Sequence, residues 1–373
     1  MRLLRPFVAL TEKNNKNRPL NIHASLWSRR GNDAGACYNR SMTEYPKHAT
    51  PSHAAPVDES TLALIRTQVI RGVALNREPG YHFAGNFLDL SYDHVGTDHT
   101  SLSVDVQPFS STVDGQLSLS GFAILADLAM AGAVRAGLEP STRLATVTMN
   151  LQFTGARADG RLHGRGEMHG FVEGAAGRQG LSTVTIRNEA GLVCTGTATF
   201  MVLKPPKGVE LHPVPHRRRG ENPTPDIPGG KLLPDEKKIV AAAEASLAWV
   251  REHGGSFVRH FWGVQSTHQP GGSHATVKNG PHIGNRVGHV QGGILLGLAA
   301  ENASAALTPH WQLTALSAWY ISPGEGRALK IRSKVVHHGR LVAVVRTEVT
   351  GKGRDGKQRK VFELMTTHAY RAE

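Results

Sequence analysis

"GHVQGGILLGLAAENA" (residues 288–303) sets a paired glycine, Gly292-Gly293, directly ahead of a run that is almost all Leu and Ala and closes on Glu301-Asn302. A helix start leaves backbone N–H groups unpaired and carries partial positive charge. Glycine there lets a ligand oxygen approach the bare amides, which would make an oxyanion site. The same pair equally serves the tight packing of a loop against a sheet. Both readings predict a helix at this point, and apolar residues on all its faces predict a buried one.

A second stretch repeats the plan. "GFAILADLAMAGAV" (121–134) is another small-residue apolar helix, and each helix is preceded by a capped helical opening, "DESTLALIRTQVIRGV" (58–73) and "DEKKIVAAAEASLAWVREHGG" (235–255). "NFLDLSY" (86–92) and "LSVDV" (102–106) read as strands between them. In "TVTMNLQF" (146–153) Val147, Met149, Leu151 and Phe153 alternate with polar residues, as a half-buried strand requires. "GLSTVTIRNEAGLVCTGTATFMVL" (180–203) reads as a hairpin turning at Asn188–Gly191, and "RLVAVVRTEVTGKGRDGKQRKVFELMTTHAY" (340–370) is its counterpart. The register is tight. At an offset of 173 residues 112–127 lie over 285–300, and after a six-residue shortening residues 153–162 lie over 320–329. This is a duplicated unit of antiparallel sheet wrapped around a helix, an α+β fold.

The repeat sets the boundaries: domains over 56–203 and 235–373, with a linker over 204–234 that holds eight prolines. Residues 1–55 lack periodicity, contain a second Met at 42, and read as a disordered or spurious extension. The net charge of +13 suggests nucleic acid until it is located, because nine Lys/Arg against three Asp/Glu fall in the first 50 residues. The modest remainder suits a polyanionic small molecule better than nucleic acid, and no basic-aromatic pattern of the RNA-binding kind is present. No apolar run reaches membrane-spanning length. Two distant cysteines, Cys37 and Cys194, fit neither a metal site nor a disulfide framework and point to a reducing, cytoplasmic setting.

A buried helix opened by Gly-Gly, an acid on such a helix and a flanking antiparallel sheet together resemble the hot-dog acyl-CoA thioesterases of the phenylacetyl-CoA and medium-chain type. That family's pattern is Asn-x-x-Gly-x-x-His-Gly-Gly, then Leu-Ala-Asp on the helix, then Ser or Thr on the next strand. Each half keeps a different part. The second half has Asn285, Gly288, Gly292 and Gly293, with Gln291 in the place of His, Ala300 at the acid and Leu313 at the hydroxyl. The first half has Asp127 and Thr146, but Thr112, Ser118, Leu119 and Ser120 where Asn, His, Gly and Gly belong. The resemblance implies two tandem hot-dog domains forming an internal pseudo-dimer. It also implies one complete site, with Asp127, Thr146 and the Gly292 and Gly293 amides catalytic and Asn285 and Gln291 binding; His289, on the same entry loop, is expected to bind substrate beside them. Homo-oligomers of this unit stay open.

Physics bears on the acid independently. Asp127 interrupts an otherwise apolar helix, and a buried carboxylate needs either a structural partner or a task. Burial should raise its pKa toward neutrality, which suits a base or nucleophile. Glu301 is the rival acid. It lies one residue past the expected position, about 100° round the helix, and would replace Asp127 if that helix were shifted by one residue. His282 and His289 are expected near the site mouth. The expected activity is hydrolysis of an acyl-CoA thioester in fatty acid metabolism, with no cofactor and no metal. The alternatives are a non-catalytic acyl-CoA-binding protein and a hot-dog enoyl thioester hydratase or dehydratase, which needs an Asp-His pair that is not evident here.

Overall fold

Asp58 opens the first helix: its carboxylate accepts from the Thr61 N–H at 2.9 Å and caps α1 (Glu59–Leu75). The computed structural model describes residues 57–373, apart from 81, 141, 175–176, 205–207, 209–211, 221–226, 228–229, 354 and 373. The expected extension and part of the proline-rich stretch therefore lie outside the described residues. Among those described, no helix is long and apolar enough to cross a membrane.

The first half continues through α2 (Phe83–Phe87), β1 (Ser91–Val95), β2 (Thr100–Asp105), α3 (Leu119–Arg135), β3 (Arg143–Phe153), β4 (Arg161–Gly174), β5 (Gly177–Asn188) and β6 (Gly191–Leu203). The second half runs α4 (Pro234–His253), α5 (Phe257–Phe261), β7 (Thr267–Gln269), β8 (Gly272–Lys278), α6 (Gly292–Ser304), β9 (Trp311–Tyr320), β10 (Ala328–His338), β11 (Val342–Lys352) and β12 (Gln358–Tyr370). "NFLDLSY" departs from its reading as one strand. Phe83 and Phe87 stand one helical turn apart and pack together among Phe109, Phe257, Phe261 and Trp262, so Asn86-Phe87 closes α2 and the strand starts at Ser91. The turn at Asn188–Gly191 forms as expected. Asn188 Oδ1 accepts from the Ala190 N–H, and Gly191 takes a φ of 129° that a side chain would resist.

All strands join one antiparallel sheet in the order β1-β2-β4-β5-β6-β3-β9-β12-β11-β10-β8-β7. The halves meet at its centre, where β3 pairs β9 from Thr148–Trp319 to Gln152–Ala315. The sequence offsets reappear in the backbone. Isolated bridges Ser111–Leu117 and Gly284–Val290 precede α3 and α6 at the offset of 173, and β6 and β12 have equal length with ends 167 apart. A bulge interrupts β3 between Thr146 and Thr148, and another falls at the matching place, between Leu313 and Ala315 of β9. A bulge re-aims its neighbouring side chains, and these two flank Thr146 and Leu313.

Helices α3 and α6 are apolar all round because each is covered on one side by its own strands and on the other by its partner helix. The helices approach closely through glycine. A Cβ on Gly293 would lie 2.6 Å from the Ile124 nitrogen, and one on Gly297 would strike the Ser120 backbone. Contacts that advance by four along one helix and retreat by four along the other mean the helices run antiparallel. The start of α6 is thereby carried to the middle of α3, where Asp127 stands.

Candidate active site

Asp127 is 7% exposed on α3, and two further elements converge on it. Thr146 of β3 donates its hydroxyl to Oδ1 at 2.9 Å. Gln291, the residue that caps α6, donates its amide to Oδ2 at 3.2 Å while its Oε1 accepts from the Ile294 N–H at 2.8 Å. The cap bond orients the amide, so the NH2 group faces the carboxylate. Helix geometry then leaves the Gly292 and Gly293 N–H groups without an intrahelical acceptor, at the positive end of α6. Burial pushes the Asp127 pKa up to about 6, while the bonds from Thr146 and Gln291 restrain it by favouring the ionised form.

Asp127, Thr146, Gln291 and Gly292 line a cavity of about 440 Å³ with an apolar wall of Leu128, Ala131, Leu144, Phe200 and Leu295. Its rim includes Asn285 and His289. Asn285 Oδ1 accepts from the N–H groups of Val287 and His289, both at 3.0 Å, and locks the glycine loop. His289 faces Glu325, with Nε2 at 3.3 Å from Oε1.

Three expectations need correction. Gly293 does not line the cavity; the α3 backbone against it forbids a side chain, so its glycine is explained by helix packing, here against a helix and not a sheet. Gly292 is the member beside the site, with its Cβ position 3.7 Å from both Asp127 Oδ2 and Thr146 Oγ1. Glu301 lies away from the cavity, its Oε2 3.8 Å from Arg259 Nε of α5 and without a hydrogen bond, and burial pushes its pKa up to about 7. His282, expected at the mouth, instead packs its ring 5.5 Å from Phe261 and is held at about 4 by burial.

Tyr320 was not among the residues singled out from the sequence. It ends β9, stacks edge-on against Phe362 at 4.8 Å, and donates its hydroxyl to the Gly292 carbonyl at 3.0 Å. Its ring carbon stands 3.3 Å from the Gly292 Cβ position. Burial and the Asp127 charge both raise its pKa, so it is a proton-bearing donor that fixes the α6 start. Its only sequence signal is that it overlays Phe153, an aromatic with an added hydroxyl. Cys194 is no nucleophile, since burial pushes its thiol up to about 12. His94, Asp98 and His99 converge at the β1–β2 turn, away from the cavity. Asp98 hydrogen-bonds both imidazoles, at 3.2 and 2.6 Å, which accounts for the cluster without an ion.

A family model described as the acyl-CoA thioesterase N-terminal domain matches residues 282–369, the stretch from the glycine loop through the last strand. That match falls on the part of the second half that carries the motifs resembling this family. No curated protein matches the chain in sequence. Among solved structures, a provisionally assigned oleoyl thioesterase from Lactobacillus plantarum is similar at 10% identity, covering 73% of this chain and 96% of its own, with a TM-score of 0.46. A hot-dog protein of unknown function from Alicyclobacillus acidocaldarius is similar at 12% identity, covering 76% and 96%, with a TM-score of 0.44. The BH2602 protein from Bacillus halodurans, solved with CoA, is 19% identical over 38% of this chain and 97% of its own, with a TM-score of 0.33. Likenesses at this level assign the chain no activity.

Proposed function

We propose that the chain hydrolyses an acyl-CoA thioester to the free acid and CoA, at one site shared by its two halves. Residues 56–203 and 235–373 act as an internal pseudo-dimer of hot-dog domains joined by 204–234. One observation carries this reading: the Asp127 carboxylate of the first half is held by the residue that caps α6 of the second.

The thioester carbonyl oxygen takes the bare amides at the α6 start, led by Gly292, where the helix dipole favours negative charge. Asp127 removes a proton from water as the oxygen attacks the carbonyl carbon. The tetrahedral oxyanion collapses, the C–S bond breaks, and the proton on Asp127 passes to the departing sulfur. Attack by the carboxylate itself would break the C–S bond, expel the CoA thiolate and give a mixed anhydride, which water then opens to the free acid and a regenerated Asp127. Thr146 and Gln291 keep the carboxylate oriented and ionised. Asn285 and Tyr320 act one step removed, by holding the loop and the helix start.

The test is a panel of straight-chain and aromatic acyl-CoAs, with thiol release followed by a chromogenic reagent. Hydrolysis of at least one member at an enzymatic rate is expected. Tight binding of the panel with no thiol released would instead identify an acyl-CoA-binding protein. With a 2-enoyl-CoA added to the panel, loss of the enoyl absorbance without thiol release would identify a hydratase.

A further inference from the structure

We propose that the cavity contains an anion-binding subsite, built from Arg135 of the first half and Arg286 of the second, that grips an oxyanionic group of the substrate remote from the thioester. The inference rests on the thioester reading of the same cavity. Both side chains line it. Arg135 lies at the C-terminal end of α3 and spends one nitrogen on the Thr142 carbonyl at 2.7 Å; Arg286 spends one on the His212 carbonyl. Among the described residues neither has a carboxylate partner, although nearly every other semi-buried arginine here is paired, as Arg77 is with Glu236 and Arg219 with Asp105.

Among the described residues no carboxylate forms an ion pair with either guanidinium, and only Tyr92 and, for Arg135, Asp127 act on them through space in the stabilising sense. Burial and the neighbouring Arg286 push the Arg135 pKa down to about 10, so the two cations feel each other in a desolvated place. The adjoining His82 and His216 are themselves pushed down by burial and by these same arginines, and are neutral at pH 7. Tyr92 completes the wall. The carboxylate that Arg135 senses is Asp127, which is already engaged by Thr146 and Gln291. Two semi-buried like charges without a counter-ion are costly in an empty cavity. They are favourable once a guest supplies oxygens for guanidinium forks.

The spacing states what kind of guest. Eight residues of α3 separate Asp127 from Arg135, roughly 12 Å along the axis. Leu128, Ala131 and Gly132 line the cavity between them and ask for an apolar or weakly polar spacer. Two parts of a thioester meet this description: the diphosphate beyond the pantetheine arm of CoA, and a carboxylate at the far end of the acyl chain.

The experiment uses the full chain, wild type and the variants Arg135→Gln, Arg286→Gln and Arg135→Lys. Calorimetry with inorganic pyrophosphate and with adipate reads anion binding without any turnover. Wild type should bind at least one of them, each Gln variant should bind about 10-fold more weakly or worse, and Arg135→Lys should fall between. Thermal melts of all variants separate this from loss of fold, and Arg286→Gln, on a loop, is the safer variant. Thiol release is then compared for hexanoyl-CoA, the hexanoyl thioester of N-acetylcysteamine and the adipyl thioester of N-acetylcysteamine. If the guest is the CoA diphosphate, the Gln variants raise KM for hexanoyl-CoA and leave the two short thioesters unchanged. If it is an acyl carboxylate, wild type prefers adipyl to hexanoyl in the short series and the Gln variants erase that preference. Either pattern supports the subsite. Folded Gln variants that match wild type in both anion binding and every KM would overturn it. Anion binding that persists while no thioester is cleaved would sink the hydrolytic reading and leave the subsite standing.

Discussion

Helices α3 and α6 begin alike and face different residues. Each is preceded by a single antiparallel bridge, each is capped by a polar side chain that accepts from the third helical N–H, and each start is carried by antiparallel packing to the middle of the other. At the α6 start the cap is Gln291, the first residue is Gly292, and the matching positions across the cavity hold Asp127 and Thr146. At the α3 start the cap is Ser118, too short to reach beyond its own helix, and Leu119 and Ser120 stand in place of the glycines. The positions equivalent to the acid and hydroxyl are Ala300 and Leu313. Ser120 Oγ is buried there without a hydrogen bond. One backbone device thus appears twice, and it meets a titratable group once. The backbone sets where a positive helix end points; chemistry depends on what four side chains place in front of it.

The comparison breaks most completely at the acid. We expect Asp127→Asn to keep the fold and lower kcat by about 10²–10⁴-fold in thiol release, since the amide retains shape and loses basicity. Glu301→Gln, on the other helix, should leave kcat near wild type. The next largest effect is on packing. Gly293→Ala should cost about 3 kcal/mol in denaturant melts, because its Cβ would meet the Ile124 backbone, which cannot swing aside. Gly292→Ala, whose Cβ would crowd the Tyr320 ring edge at 3.3 Å and touch Asp127 and Thr146 at ordinary contact distance, should cost far less stability and show itself in kcat. Equal destabilisation by both would mean that the two glycines share one role.

Glu301 gives the third contrast. Its folded pKa of about 7 stands above the ordinary 4.5, so its contribution favours the folded state below pH 4.5 and is lost as pH rises to 7. Glu301→Gln should flatten stability across that window by on the order of 2 kcal/mol, measured as melts at pH 4.5 and pH 8. The smallest effects belong to the donors on Asp127. A base must be ionised, so kcat/KM should rise with pH through about 6. Thr146→Val and Gln291→Ala each remove a bond that favours the charged form, so each should move that limb to higher pH, Thr146→Val further because its bond depresses the pKa more. An unmoved limb would place the titrating group elsewhere.

How much of this was legible beforehand follows from what kind of signal each feature leaves. The offsets of 173 and 167 showed as matching text because backbone devices, caps, bridges and strand lengths constrain residue types over many positions. Asp127 and Thr146 were visible because a polar residue stands out on an apolar helix or aligns with a strand. The packing demand on Gly293 was hidden because it comes from Ile124, far away in sequence, and a close approach between helices has no local mark. Tyr320 was missed for a similar reason: at the end of a strand an aromatic is ordinary, and only the tertiary fold brings its hydroxyl to the Gly292 carbonyl. The short α2 was hidden because aromatic-rich pentapeptides suit strand and helix equally, and the phenylalanine cluster decided between them.

The asymmetry between the two helix starts is tested most directly by counting sites. Calorimetric titration of the full chain with a non-hydrolysable thioether analogue of its best acyl-CoA substrate should give one ligand per chain, and Asp127→Asn should leave that stoichiometry unchanged. Two equivalent ligands per chain would contradict the account, because the start of α3 would then bind substrate as well as the start of α6 does.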